Sequence, residues 1–474
     1  MNSSKLSKVY SAEDFKKQAN STVELLSNHL SNAINGKGKA IPFKDAESEY
    51  QFWNDFEFTS AENFFENVLD RSVRTHHKKY MGHQVGATAP LSAIAGLVSS
   101  FLNNGSAVYE MGMANNAIER IVCELLSNKI GYDKSSRGFL TSGGSLGNLT
   151  ALLAAKAAYL NRHPNAKRLG IMVGEQAHYS IERTARIMGL EAEGLILLPS
   201  KEDFTIDEEL VEKHYQKALD QGIEVMAFVG NAPSTATGKI DDLSFIADFC
   251  QKHSIWYHMD AAHGGAAIFS TKYKGDLKGI EKADSIVIDG HKMMMLPAIT
   301  TAVLFKNGTD SYNTFKQKAD YLLTATEEED WSNMAKRTFE CTKNMMAIEW
   351  YVMLKAYSED IFDEFVTKMY DNCRMLADKI KNHPNLELAV DPDTNILCFR
   401  YVDATKTNQE LNQINKEIRQ TLLEEGEFYI LQTILNEKVY IRLNTMNAFT
   451  EEADYDLVLK KIIDLADSNT LKSQ

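Results

Sequence analysis

Between about residues 110 and 310, short apolar segments recur at 170–173, 195–198, 225–229, 255–259, 285–288 and 301–305. Stretches of helical spacing stand among them, at 113–128, 146–160, 207–221 and 240–252. A strand that is apolar throughout has no polar face to show to water, so it must be covered on both sides. Such strands joined by helical crossovers give an α/β fold with a mostly parallel or mixed sheet between layers of helices.

With 474 residues the chain can bury two cores. The expected division is an N-terminal helical segment at 1–85, a large domain at 86–345 and a small C-terminal α+β domain at 346–474. A long helix at 340–356 and strands at 395–402 and 439–444 fit the last part. An aromatic cluster in the first segment (Tyr50, Phe52, Trp53, Phe56, Phe58, Phe64, Phe65) calls for cover from the rest of the protein or from a partner subunit.

Composition excludes several function classes. The formal charge is −14 and no basic block stands out, which argues against a nucleic-acid partner. Apolar runs such as Leu195-Ile196-Leu197-Leu198 are far too short to cross a bilayer, and Met1-Asn2-Ser3-Ser4-Lys5 leads into mixed polar sequence. The five cysteines are scattered without metal-site spacing and read as reduced thiols in a cytoplasmic chain; no metal is expected.

The chemistry lies at strand ends. Lys292 follows an apolar strand in Asp289-Gly290-His291-Lys292-Met293, where a lysine is costly unless paired or covalently modified. Asp260 ends an earlier strand in His258-Met259-Asp260-Ala261-Ala262-His263-Gly264-Gly265. A lysine able to form an imine, and an acid able to hold a pyridinium nitrogen protonated, are two parts of a pyridoxal phosphate (PLP) site. Thr141-Ser142-Gly143-Gly144-Ser145 supplies a third, since Gly143, Gly144 and Ser145 open a helix with unpaired N–H groups and a hydroxyl for a phosphate. His178, just after the strand at 170–173, is a planar ring that can stack on the pyridine or relay a proton. Ala262 is small enough to lie beneath a flat ring, and His291 can reach phosphate or a substrate carboxylate. Thr235, in Ser234-Thr235-Ala236-Thr237-Gly238, can meet the ring oxygen. His83 and Gln84 are candidates for a substrate cavity.

This constellation resembles the fold-type I PLP enzymes, and within them the group II amino-acid decarboxylases, from about Phe64 to Phe449. The resemblance implies a PLP-dependent transferase-like fold, with a seven-stranded-type sheet in the large domain. It makes Lys292 the Schiff-base lysine, Asp260 the pyridinium partner and His178 the stacking histidine; the catalytic set is Lys292, His178 and Asp260. It also implies a homodimer with interface active sites, on which His83, Gln84 or the loop 321–337 acts across subunits, and a basic group for a substrate acid, for which Arg442 is the candidate. Two departures stand out. Asp289 replaces the asparagine of the family's common Asn-Pro-His-Lys, and an ionised acid cannot donate to phosphate. The loop 321–337 is short and has its only tyrosine, Tyr321, at its start, away from where family members place a proton donor.

The expected reaction is α-decarboxylation of an L-amino acid to an amine and CO2. Two rivals are decarboxylation with oxidative deamination and carbon–carbon lysis on the same fold; a rival of another class is a non-catalytic binding protein on this scaffold. Local likeness at 258–265 and 281–295 leans toward diaminobutyrate-like or other small polar substrates.

Overall fold

The computed structural model describes residues 5–315 and 330–472, so Tyr321 lies outside the described residues. The chain groups into two compact units. The larger is Gln84–Ala377 with Val390–Leu397; the smaller takes in the described parts of Met1–His83, Asp378–Ala389 and Cys398–Gln474.

These bounds differ from a division at 85 and 345, for two physical reasons. The helix Ala347–Tyr357 packs on the helices Pro90–Leu102 and Ala114–Ile130, so residues after 345 join the larger unit. At the other end, Ala40, Ile41 and Tyr80 share a buried cluster with Leu423 and Tyr429, and Met81 N–H donates to the Tyr429 carbonyl. Ala40, Ile41 and Tyr80 thus find their cover within their own chain, while Tyr50, Phe58 and Phe65 stay exposed. Much of the aromatic cluster meets itself, with Trp53 and Phe56 rings 5.2 Å apart and Phe56 and Phe64 rings 6.0 Å apart.

The larger unit is built on a seven-stranded sheet: β1 (Arg137–Thr141), β2 (Leu169–Gly174), β3 (Leu195–Leu198), β4 (Glu224–Asn231), β5 (Trp256–Asp260), β6 (Ser285–Asp289) and β7 (Thr301–Phe305). Their order is β1-β7-β6-β5-β4-β2-β3. The pairs among β2 to β6 are parallel, whereas β7 runs antiparallel to both β6 and β1. Thr301 of β7 is the register partner of Thr141 on one side and of Asp289 on the other. The parallel strands β2 to β6 end on one edge, and β1, antiparallel to their antiparallel neighbour β7, ends there too. That edge is where α/β sheets place ligands.

A second sheet has four strands, β8 (Leu386–Leu388), β9 (Ile396–Tyr401), β10 (Leu431–Leu435) and β11 (Lys438–Asn444), in the order β10-β11-β9-β8, and all but Ile396 and Leu397 of it belong to the smaller unit. The helix Asn408–Glu425 packs on β11; it starts at a capping box formed by Thr407 and Glu410 and stops at Gly426. Among the described residues no helix is long and apolar enough to cross a membrane.

Candidate active site

The strand-end edge of the large sheet holds a cavity of about 330 Å³. Gly143, Gly144, Ser145, His178, Thr235, Asp260, Ala262, His291 and Lys292, all singled out by their sequence context, line it. His83 and Arg442 belong to the smaller unit and Gln84 opens the larger one; none of the three lines this cavity.

A cradle of glycines follows β1. At its end Glu119 Oε1 accepts from Leu140 N–H at 2.9 Å, and the buried Lys343 pairs with Glu119 and donates to the Leu140 carbonyl at 2.7 Å. This buried pair fixes the residues just before the turn. Gly143 then adopts φ +98°, which favours glycine, and the helix Gly144–Arg162 begins with open N–H groups. A Cβ on Gly144 would stand 3.0 and 3.1 Å from the Asp289 carboxylate oxygens, so a side chain would fill the cradle.

Alternation along β5 turns Trp256, His258 and Asp260 to one face of the sheet. Asp260 Oδ1 accepts from Ala262 N–H at 3.2 Å and Oδ2 accepts from Asn148 Nδ2 at 2.7 Å. Lys292 sits in the short helix Gly290–Met293 after β6, with Nζ 2.9 Å from Asp289 Oδ2. Asp289 also accepts from the Thr301 hydroxyl, and its Oδ2 is 3.8 Å from His291 Nε2. The acid at 289 therefore faces a lysine ammonium and the cradle together. Ser234 is committed to its own turn by a 2.8 Å bond with Thr237 Oγ1, while Thr235 faces the cavity.

Burial lowers the pKa of His178; Asp260 and Asp289 oppose that shift, while Lys292 and Arg183 add to it. Burial likewise lowers His291, against Asp289. His258, wholly enclosed, is lowered to about 4 by burial, with Asp260 opposing.

Several further residues matter here. Asn148, Asn231, Pro233 and Ile299 line the cavity, and His258, Ser285 and Ser180 lie behind it. Spacing could have shown some of them. Asn148 is one helical turn beyond Gly144, and His258 shares the face of Asp260 two residues on. Among the described residues no group of His, Cys, Asp and Glu is placed to hold a metal ion.

Residues 46–402 match the profile of the pyridoxal-dependent decarboxylase conserved domain. The chain belongs to that decarboxylase family. Pyridoxal phosphate is the family's cofactor and decarboxylation its reaction. An aromatic-L-amino-acid decarboxylase of Bacillus atrophaeus is 26% identical over 407 residues, 85% of this chain and 84% of its own length. An L-2,4-diaminobutyrate decarboxylase of Acinetobacter baumannii is 26% identical over 82% of this chain and 80% of its own. In fold, the glutamate decarboxylase domain of a diaminobutyrate-pyruvate transaminase and L-2,4-diaminobutyrate decarboxylase from Vibrio parahaemolyticus superposes with a TM-score of 0.85, at 22% identity, over 99% of this chain and 98% of that one.

The residues present fit the decarboxylase cofactor. A glycine-walled cradle with helix N–H donors suits its phosphate, an acid held by two donors suits its ring nitrogen, and a lysine amine lines the same cavity.

Proposed function

We propose that this chain removes the α-carboxylate of an L-amino acid, with Lys292 holding the cofactor covalently, Asp260 pairing with its ring nitrogen and His178 packing on its ring. The convergence of these three side chains on one cavity at the strand ends supports the reading most strongly. When bound, pyridoxal phosphate supplies the sink for the electrons released as CO2 leaves. Gly143, Gly144 and Ser145 hold the phosphate by backbone donors and a hydroxyl. Asp260 keeps a negative charge beside the ring nitrogen, and Ala262 leaves room for a flat ring. Lys292 would hold the cofactor through its amine and would supply a base at the same cavity wall when free of it.

Two further parts of the reading concern assembly and place. The helix Pro90–Leu102 exposes Ile94, Leu97, Val98 and Phe101 along one face, and a second copy of the chain is the occupant proposed for it. Cys123, Cys250, Cys373 and Cys398 are buried thiols in no disulfide, which suits a reducing cytoplasm.

The substrate class we favour is a small polar amino acid of the diaminobutyrate kind, as the similar proteins include a diaminobutyrate decarboxylase. CO2 release across a panel of L-amino acids, with amine measured alongside, tests both reaction and substrate. Equimolar CO2 and amine from a small polar substrate is the expected result. Aldehyde formation with oxygen uptake would overturn simple decarboxylation, and preference for an aromatic substrate would overturn the substrate class.

A further inference from the structure

From the wall of the cavity inward, seven side chains of the larger unit form one connected series, and the chemistry of its members fixes the direction of each hydrogen bond. The Trp256 indole can only donate, so Ser285 Oγ accepts from it at 2.8 Å. Ser285 then gives its one proton to His258 Nδ1, also at 2.8 Å. His258 is left with its proton on Nε2, which donates to Asn148 Oδ1 at 3.0 Å. With its oxygen committed, the Asn148 amide turns its two N–H bonds to Asp260 Oδ2 at 2.7 Å and Ser180 Oγ at 3.0 Å. Having accepted, Ser180 donates its hydroxyl proton to His178 Nδ1 at 2.8 Å, and its backbone N–H points to the same nitrogen at 3.3 Å.

Every group in the series is satisfied by one arrangement of protons and by no reversal of it. An amide flip at Asn148 would set its oxygen against the Asp260 carboxylate, acceptor against acceptor. Asn148, His258 and Ser285 are at most 1% exposed, so water cannot repair a broken link.

We infer that Asn148 is a positioning residue that couples the two cofactor-facing groups. One N–H holds the Asp260 carboxylate in place; the other, through Ser180, fixes His178 as the neutral ring with its proton on Nε2. His178 thereby offers the cavity a hydrogen-bond donor at a set edge. The catalytic meaning of this coupling rests on the roles proposed above for Asp260 and His178, whereas the tautomer is a property of the protein alone.

Nitrogen-15 NMR of the histidine rings in the full-length protein, first without pyridoxal phosphate and then with it, tests the inference. At neutral pH, His178 and His258 are both expected to carry a protonated Nε2 and an accepting Nδ1, and a proton on Nδ1 of either ring overturns the relay. Ser180→Ala cuts only the limb to His178. It should shift the His178 Nδ1 resonance and leave unchanged the pH dependence of the visible absorption of the loaded protein, which reads the Asp260 side. Asn148→Leu cuts both limbs and should move both readouts; if either stays in place, Asn148 does not couple them. If Asn148→Leu fails to fold, Asn148→Ser serves the same comparison. A protein with these tautomers that takes up no cofactor would instead refute the cofactor reading and leave the relay standing.

Discussion

Lys292 Nζ and Asp289 Oδ2 are 2.9 Å apart, and the acid of this pair is 2% exposed. The same carboxylate faces Gly144 of the proposed phosphate cradle. A buried negative charge beside an anion site opposes the anion unless a cation meets it. Asp289→Asn removes that charge and adds an amide donor. Affinity of the cofactor-free protein for inorganic phosphate and for pyridoxal phosphate should rise about 3- to 10-fold. Titrations at fixed ionic strength check this; weaker binding would show that the acid serves mainly to hold Lys292 in place.

Lys292→Ala should retain pyridoxal phosphate only non-covalently and lose turnover by about a thousandfold or more. In the wild-type protein, borohydride should fix the cofactor on the peptide that contains Lys292. Mass spectrometry of the digest reads the site directly, and label on another lysine would refute the assignment.

Asp260→Asn nearly preserves size and keeps one acceptor oxygen, for Asn148 or for Ala262, but it removes the charge and turns an amide donor toward the other. Cofactor should still bind, while turnover of the saturated variant falls by about 100-fold or more, roughly 2.7 kcal/mol in the barrier. A near-normal rate would sink the electronic role.

Glu349, on the helix Ala347–Tyr357, is pushed up to about 7 by burial alone. A carboxyl raised in the folded state keeps a proton that the unfolded chain has already released. Stability is therefore fullest near the ordinary value of 4.5, falls as pH rises toward 7 and is level above it. Glu349→Gln removes the penalty, so it should stabilise the protein by ~1–2 kcal/mol at pH 8, after allowance for partial exposure, and by little at pH 5. Melting temperatures at the two pH values give the comparison, and an equal effect at both would rule the titration out.

Ile94, Leu97 and Phe101 repeat at helical spacing, and Phe101 is 66% exposed. Leu97→Asp with Phe101→Glu should halve the mass seen in sedimentation, from twice 53.3 kDa to a single chain. A wild-type protein that already sediments as one chain at micromolar concentration would end the dimer proposal.

The sequence revealed the parts of the fold that local chemistry dictates. The strands at 170–173, 225–229 and 285–288 were legible because fully buried strands must be apolar throughout. Lys292 and Asp260 were legible because charge at the end of such a strand demands a partner. The direction of β7 was harder to read. Its residues look like those of a parallel strand, and only the connection from Asp289 to Thr301, short for a crossover, hints that the chain doubles back. β8 is three residues long and β10 is an edge strand of alternating exposure, so neither has an apolar run to announce it. Helical spacing puts Asn148 near Gly144 but says nothing of its pairings with Asp260 and Ser180, across 112 and 32 residues of chain. The bounds of the two units escaped notice for the same reason: Tyr80 and Tyr429 are brought together only by the fold.

Thr301 lies between Thr141, at the mouth of the cradle, and Asp289, three residues before Lys292. One strand thus serves as the common ruler for both halves of the site. A slip of β7 by a single residue would turn its side chains to the opposite face and misalign cradle and lysine in the same event. A slip of β7 therefore touches both halves at once, and molecules with a mispaired β7 would be empty rather than half-competent. Holding cofactor then becomes a proofreading mark: a loaded chain is one whose central strands have found their register.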